Sequence, residues 1–265
     1  MSGNNLLTLC LNTAEGRVQF LLIEGELLCA QDWLARRGAA ELLAPALAEA
    51  CARLGRKAAD IRRIACVAGP GSFTGLRLGL ATAAGLARAT NAKQVGLDYL
   101  QCLAASVLLQ AGESVLVAVQ ARQGMYYQGL YVSDGFLPHR VGQIQLIEPS
   151  GPDITNAANA TNAASPNFII GSAVTQAPVV FGARYPGSRV LPGLNQPNLQ
   201  ALLCLCAAIE LGGQTSDIEP IYLRECDAVE NLDAIALAKG LDPARERARL
   251  NELLVDKQFT ASGDF

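Results

Sequence analysis

The chain of 265 residues contains a single histidine, His139. Zinc sites with two histidines, H-E-x-x-H helices and 2-His-1-carboxylate iron sites therefore cannot form within one chain. A serine–histidine–aspartate triad would have to use His139, which follows the turn-like segment Asp134–Pro138 and is expected to be a solvated loop residue. We accordingly predict no metal site and no peptidase centre.

Charged and aromatic side chains are also scarce. They make up 17% and 5% of the chain, whereas hydrophobic residues reach 51%. This composition predicts a core of small aliphatic side chains and closely packed helices. The net charge of −3 provides no overall positive field for a polyanion, so direct nucleic-acid binding would need a local patch or a partner.

Long apolar runs, a basic amino-terminal region and C-x-x-C pairs are absent from the sequence. We therefore predict neither a signal peptide nor a membrane span. The eight cysteines lie among apolar neighbours and are expected to be buried free thiols, which indicates a reducing cytoplasm.

Strand and helix patterns occur in two successive sets. The first set comprises strands at 6–11, 18–23, 27–33 and 64–68 and helices at 39–54 and 74–90. The second set comprises helices at 99–111 and 198–211, strands at 115–120, 125–132, 140–147 and 168–171, and a loop at 156–166. The pattern predicts a duplicated α/β fold with mixed sheets. We place one lobe at 1–112, a second at 113–226 and a tail at 227–265 with an exposed charged helix at 242–250.

The sharpest local motif is the string Gly69-Pro70-Gly71-Ser72-Phe73-Thr74-Gly75-Leu76-Arg77. A strand that passes through glycines into a helix N-terminus is one way to build an anion site, and Ser72 or Thr74 is suited to cap the helix. The motif lacks the Gly-Lys-Ser/Thr of a phosphate-binding loop and the third glycine of G-x-G-x-x-G. A tight structural turn is the alternative interpretation.

Small residues recur every fourth position along the helix that follows, at Gly71, Gly75, Gly79, Ala83 and Ala87. Such a stripe allows close approach of a second backbone. Two interpretations stay open at this point: packing on the chain's own helix or sheet, and contact with a helix of another chain.

Five segments occur together in one order. They are the string at 69–77, Leu11-Asn12-Thr13, the segment at 42–45, the segment at 119–127 and the segment at 220–224. Across about residues 6–226, the chain resembles the TsaB (YeaZ) family, which older descriptions place among M22 glycoprotease-like proteins.

The resemblance implies a two-lobed fold of the actin, Hsp70 and sugar-kinase (ASKHA, ribonuclease H-like) class with a duplicated βββαβα core. It also implies a cytoplasmic, non-catalytic partner of a TsaD-like paralogue and a TsaE-like ATPase. That complex forms N6-threonylcarbamoyladenosine at position 37 of tRNAs that read codons beginning with A, and this chain would meet tRNA only through the complex.

The family's partner contact involves the helices near 41–54 and 74–88. The resemblance therefore favours the second interpretation of the small-residue stripe, and a homodimer through the same face remains open. The implied interface residues are Gly75, Arg77, Gly79, Ala83, Ala87, Leu43 and Leu47.

The chain departs from the family pattern at two charged positions. Asn12 and Gln120 replace aspartates, which removes charge beside a magnesium-bound nucleotide. We expect no cofactor, with ATP or ADP relevant only in the complex. The residues that remain as ligand candidates are Asn12, Thr13, Gly71, Ser72 and Thr74. The alternative function is a nucleotide-binding or phosphotransfer enzyme of the sugar-kinase-like class.

Overall fold

The computed structural model describes residues 6–35, 38–121, 124–148, 165–208, 218–221 and 232–249. The chain divides into two compact units, Met1–Ile221 and Tyr222–Phe265. Both sheets lie in the first unit, on either side of the predicted lobe boundary at 112. Several sequence predictions lie partly outside the described residues: the loop at 156–166 up to residue 164, residues 122–123 of the segment at 119–127, residues 209–211 of the helix at 198–211, and residues 222–224 of the segment at 220–224.

The first sheet has five strands in the order β3-β2-β1-β4-β5. The strands are β1 Thr8–Asn12, β2 Arg17–Glu24, β3 Glu26–Leu34, β4 Arg63–Gly69 and β5 Lys93–Asp98. β1 pairs antiparallel with β2 and parallel with β4. Every residue of β1 is buried, as expected for the central strand of a sheet covered on both faces.

The second sheet repeats this plan in the order β10-β9-β6-β7-β8. Its strands are β6 Ser114–Gln120, β7 Tyr126–Ser133, β8 Pro138–Ile147, β9 Phe168–Ile170 and β10 Arg189–Val190. The first strand of each set lies at the centre, flanked by the second strand on one side and the fourth on the other. This repeat confirms the predicted duplicated α/β fold with mixed sheets.

Helices cover both faces of the first sheet. The helices of the first unit are α1 Ala39–Arg53, α2 Phe73–Thr90, α3 Tyr99–Ala104, α4 Ser172–Gln176, α5 Pro178–Arg184 and α6 Leu199–Ala208, with a short 3₁₀ turn at Ala58–Asp60. α1 and α2 share one core cluster with Leu9 and Leu11 of β1. The alternate residue Cys10 instead meets Cys102 of α3 and Cys206 of α6. α3 also packs against β6, β7 and β8, so it lies between the two sheets.

Helix α3 is shorter than the sequence pattern predicts. It ends at Ala104 rather than at residue 111. The Ser106 hydroxyl donates to the carbonyl of Cys102 at 3.1 Å and accepts the amide of Asn198 at 3.0 Å. A serine that bonds back to the preceding turn favours the end of a helix. β5, α4, α5 and β10 were not anticipated, because each is short and carries no strong periodicity.

The second unit contains α7 Leu232–Ala238 and a helix at residues 243–249. The Asp242 carboxylate accepts the amide of Ala244 at 3.0 Å and so caps the latter helix. Arg247 forms an ion pair with Asp233 at 2.9 Å. These contacts confirm the predicted charged helix with a capped start. Over the part of the chain that the structure describes, no helix has the length and apolarity needed to cross a membrane.

Candidate functional site

The glycine-rich loop joins β4 to α2 beside the end of β1. Gly69 has a φ of +118°, and the peptide bond between Gly69 and Pro70 is cis. Gly71 contacts the carbonyl of Ala14 so closely that a Cβ placed on it would lie 2.7 Å from the oxygen. The amide of Ser72 donates to this same oxygen at 2.6 Å. The loop is therefore fastened to the chain segment that follows β1.

Ser72 is the N-cap of α2, as the sequence suggested. Its side-chain oxygen accepts the amide of Gly75 at 3.4 Å. Thr74 lies exposed in the first turn of the helix. The amide and the hydroxyl of Ser72 thus form hydrogen bonds within the turn. This arrangement agrees with the interpretation of the motif as a tight structural turn rather than an anion site.

Asn12 and Thr13 lie at the end of β1 and are 1% and 2% exposed. The amide group of Asn12 donates to Gln19 Oε1 at 2.7 Å, and its oxygen accepts the amide of Ala14 at 3.0 Å. The Thr13 hydroxyl donates to the carbonyl of Gly75 at 2.7 Å. The structure brings the five ligand candidates together, but the hydrogen bonds that Asn12, Thr13 and Ser72 make here are internal to the chain.

The small-residue stripe packs on the chain's own sheet, which corrects its predicted use as a helix contact with another chain. Gly79, Ala83 and Ala87 are buried. A Cβ on Gly79 would lie 2.4 Å from Thr13 Oγ1 and 3.4 Å from Cys66 Sγ, and one on Gly75 would lie 2.1 Å from the carbonyl oxygen of Thr13. The missing side chains let α2 approach β1 and β4.

Leu43 and Leu47, the predicted interface residues of α1, are also turned inward. They are 1% and 4% exposed and belong to the same core cluster as Ala83 and Ala87. The resemblance identified the helices but not the faces that they expose. Neither leucine is accessible to a partner in this structure, so these two assignments are corrected as well.

Arg77 is the one predicted interface residue on the exposed side of α2. Its guanidinium lies 3.7 Å from the centre of the Phe73 ring, in a cation–π contact. Ala81 and Gly85 follow at helical spacing on the same exposed side. A Cβ on Gly85 would meet nothing within 4 Å. We call Phe73, Arg77, Ala81 and Gly85 the outer face of α2.

A carboxylate that the sequence analysis did not single out lies beside this site. Glu15, in the turn between β1 and β2, accepts hydrogen bonds from the Ser172 hydroxyl at 2.7 Å and the Tyr99 hydroxyl at 2.8 Å. Burial raises the pKa of Glu15, while the two hydrogen bonds oppose that rise. Sequence reasoning missed Glu15, because no motif marks this carboxylate and its partners Tyr99 and Ser172 are distant in the sequence.

The second half repeats the contact between glycine and strand end. Gly171 follows β9 with a φ of +117°, and a Cβ on it would lie 2.1 Å from the carbonyl oxygen of Ala118 in β6. The backbone amide of Gln120 donates to the Ser172 hydroxyl at 2.9 Å, and its side-chain amide donates to Gln176. Gln120 therefore connects the end of β6 to α4 through hydrogen bonds.

His139 is exposed, and its Nε2 lies within hydrogen-bond distance of Asp134 Oδ2 at 2.8 Å. Amides of Leu137 and Phe136, and then His139, lower the pKa of Asp134 to about 2. The prediction that His139 is solvated is confirmed, but its placement in a loop is wrong, because His139 lies in β8 and pairs with Val132 of β7. Among the residues that the structure describes, no three His, Cys, Asp or Glu side chains form a group that would hold a metal ion.

Two sheets of the same strand order, each with a glycine-opened helix against its central strand, define a two-lobed α/β protein of the actin, Hsp70 and sugar-kinase class. A family model described as "TsaD: tRNA N6-adenosine threonylcarbamoyltransferase" matches residues 33–175. This match spans more than half of the chain, which therefore belongs to that family. The resemblance to TsaB and YeaZ stated from the sequence is confirmed.

Curated relatives match in part. The tRNA threonylcarbamoyladenosine biosynthesis protein TsaB of Escherichia coli is 37% identical over 81 residues, which cover 30% of this chain and 35% of that protein. The tRNA N6-adenosine threonylcarbamoyltransferase of Sorangium cellulosum is 30% identical over 161 residues, 61% of this chain and 43% of that protein. The matches thus span less than half the length of either relative.

Two solved structures from Pseudomonas aeruginosa share the fold. One is YeaZ, with a TM-score of 0.67, and the other is an uncharacterized protein with similarity to peptidase YeaZ, with a TM-score of 0.69. Each is 24% identical to this chain, and each alignment covers 82% of this chain and 99% of the other. These likenesses agree with the predicted two-lobed fold.

Proposed function

We propose that this chain is a non-catalytic partner in the complex that forms N6-threonylcarbamoyladenosine at position 37 of tRNA. Membership of the threonylcarbamoyltransferase family is the observation that carries the proposal. The partial match to a TsaB protein, named for the biosynthesis of this modification, supports the same role. The partner that we propose is a TsaD-like paralogue, with a TsaE-like ATPase as the third component.

The hydrogen bonds of Asn12 at the end of β1 favour a partner role over an enzymatic one. Asn12 lies where the family carries a charged residue, and both ends of its carboxamide hydrogen-bond within the chain. A nucleotide bound there would have to displace these internal bonds. We therefore favour the partner role over the phosphotransfer alternative, and we expect ATP or ADP to bind only in the complex.

The outer face of α2 is the surface that we propose for the paralogue. α1 and α2 cover the same face of the first sheet, so their exposed sides both point away from it. Ala81 and Gly85 would let a partner helix approach closely, and the stacked Phe73 and Arg77 provide an apolar ring with a positive charge. Leu42 of α1, 51% exposed, adds apolar area on this side of the sheet. A homodimer through this face would compete with the paralogue.

Contact with tRNA is assigned to the assembled complex. The net charge of −3 gives this chain no general attraction for a polyanion. We expect the chain alone to bind tRNA weakly and the complex to bind it in a salt-dependent way.

Reconstitution tests the proposed function. The paralogue, the ATPase and the remaining components from the same genome are combined with tRNA, with and without this chain, and the modified nucleoside is measured by mass spectrometry. The proposal predicts that modification requires the chain. Equal modification without it would contradict the proposal, and turnover of ATP by the chain alone would favour the enzyme alternative.

A further inference from the structure

One carboxylate connects three separate parts of the first unit. Glu15 lies in the β1–β2 turn of the first half, Tyr99 begins α3, and Ser172 begins α4 in the second half. The Ser172 hydroxyl donates to Oε1 of Glu15 at 2.7 Å, and the Tyr99 hydroxyl donates to Oε2 at 2.8 Å. Both carboxylate oxygens are therefore engaged, each by a different element.

The partners of Glu15 are themselves fixed. Tyr99 is fully buried, and its hydroxyl lies 3.3 Å from Gln196 Oε1. The Ser172 hydroxyl also accepts the backbone amide of Gln120 at 2.9 Å, which ties it to the end of β6. The network thus extends from the end of the central strand of one sheet to the end of the central strand of the other.

The environment of Glu15 favours the arrangement in which both hydroxyls donate to its carboxylate. A carboxylate removed from water is unfavourable unless hydrogen-bond donors replace its hydration. Desolvation is the main cause that raises the pKa of Glu15, and the hydroxyls of Ser172 and Tyr99 act against it. A shift of the second half relative to the first would separate Ser172 from Glu15 and leave the carboxylate with one donor fewer.

We propose that Glu15 is a latch that holds the two sheet-bearing halves of the first unit, residues 6–112 and 113–221, in one relative orientation. Glu15 directly follows Ala14, the residue whose carbonyl accepts the amide of Ser72 in the glycine-rich loop. Other links join the same two halves without Glu15, among them Gln19 Nε2 to the carbonyl of Pro197 at 2.7 Å, the Tyr131 hydroxyl to Asp98 at 2.8 Å and Gln101 Nε2 to the carbonyl of Pro138 at 2.9 Å. Loss of the latch is therefore expected to loosen the halves without unfolding them.

Hydrogen exchange of the full chain, followed by mass spectrometry, tests the latch. The variants are Glu15→Ala, which removes both acceptors, and Ser172→Ala, which cuts the bond from the other side. The matched control is Glu113→Gln, because Glu113 accepts the amide of Gln110 at 2.8 Å within a single turn. Peptides covering residues 13–19 and 171–176 report on the two sides of the latch.

We expect both variants to speed exchange about tenfold in both peptides, which corresponds to about 1.4 kcal/mol. Exchange in the strand centres 8–11 and 115–119 stays unchanged, and the control alters neither peptide. Faster exchange on the mutated side alone, or an equal effect of the control, would overturn the proposal. If Glu15→Ala fails to fold, Tyr99→Phe and Ser172→Ala provide the same two-sided comparison.

Discussion

The packing of α2 on β1 gives a prediction that separates the two interpretations of the small-residue stripe. The change is Gly79→Ala. The new methyl carbon would lie 2.4 Å from Thr13 Oγ1 and 3.4 Å from Cys66 Sγ. Thr13 cannot rotate away freely, because its hydroxyl donates to the carbonyl of Gly75 at 2.7 Å.

Two effects of opposite sign determine the size of the change. Alanine gains about 1 kcal/mol over glycine from helix propensity. Overpacking of a well-filled core costs about 1–3 kcal/mol. We therefore expect Gly79→Ala to lower the free energy of unfolding by about 0–2 kcal/mol.

Gly85→Ala is the matched control, because a Cβ there meets nothing within 4 Å on the same helix. It gains the propensity term alone and is expected to stabilise the chain by about 1 kcal/mol. Thermal and urea unfolding followed by circular dichroism measure both variants, and each kcal/mol shifts the melting temperature by about 2–4 °C. Equal stabilisation by the two variants would refute the packing of the stripe on the chain's own sheet. Because a Cβ on Gly79 already lies 2.4 Å from Thr13 Oγ1, the larger change Gly79→Leu is expected to disrupt the fold rather than only a contact with a partner.

Three further predictions concern single side chains. The pKa of Glu15 is raised on folding, so its stabilising contribution is present at low pH and is lost as the pH rises through the folded-state pKa. Glu15→Gln should therefore flatten the fall in stability that urea unfolding measures as the pH rises above the ordinary range of a glutamate. Asn12→Asp replaces the group that donates to Gln19 by a second acceptor, so we expect the free energy of unfolding to fall by about 1–3 kcal/mol. We also expect calorimetry to detect no binding of a magnesium–nucleotide by this variant. Micromolar affinity would argue for the enzyme alternative. Gly171→Ala places a Cβ 2.1 Å from the carbonyl oxygen of Ala118, on a residue whose φ is +117°. The melting temperature of this variant should therefore lie well below that of wild type, and an unchanged melting temperature would contradict the close contact.

Local patterns were sufficient to predict much of the first half. The apolar positions of α1, the buried run of β4 and the glycine motif before α2 each define an element within a short window, and the structure has all three. The cap formed by Ser72 also follows from local chemistry. The second half was harder to predict because α4 and α5 are only five and seven residues long. Short helices are held by tertiary contacts rather than by periodicity.

The sequence could not predict which way the small-residue stripe of α2 faces. Small residues at every fourth position are compatible with packing on a sheet and with packing on a partner helix. In the structure the stripe packs on the sheet, where Gly75 contacts Thr13, a residue 62 positions earlier at the end of β1. Glu15 presents the same difficulty, since its partner Ser172 is 157 residues away. A single carboxylate without a motif has no local signal, and its role follows only from the fold that brings these residues together.

The central claim is that this chain associates with a TsaD-like paralogue through the outer face of α2. The most direct measurement is gel filtration and calorimetry of the full chain with the paralogue from the same genome. Ala81→Arg places a bulky charge at the centre of that face, and Val179→Arg, at an exposed position of α5 beside the second sheet, is the control. We predict a complex with wild type and with Val179→Arg, and at least a tenfold loss of affinity with Ala81→Arg, about 1.4 kcal/mol. Absence of any complex with the wild-type chain, or full affinity of Ala81→Arg, would contradict the claim.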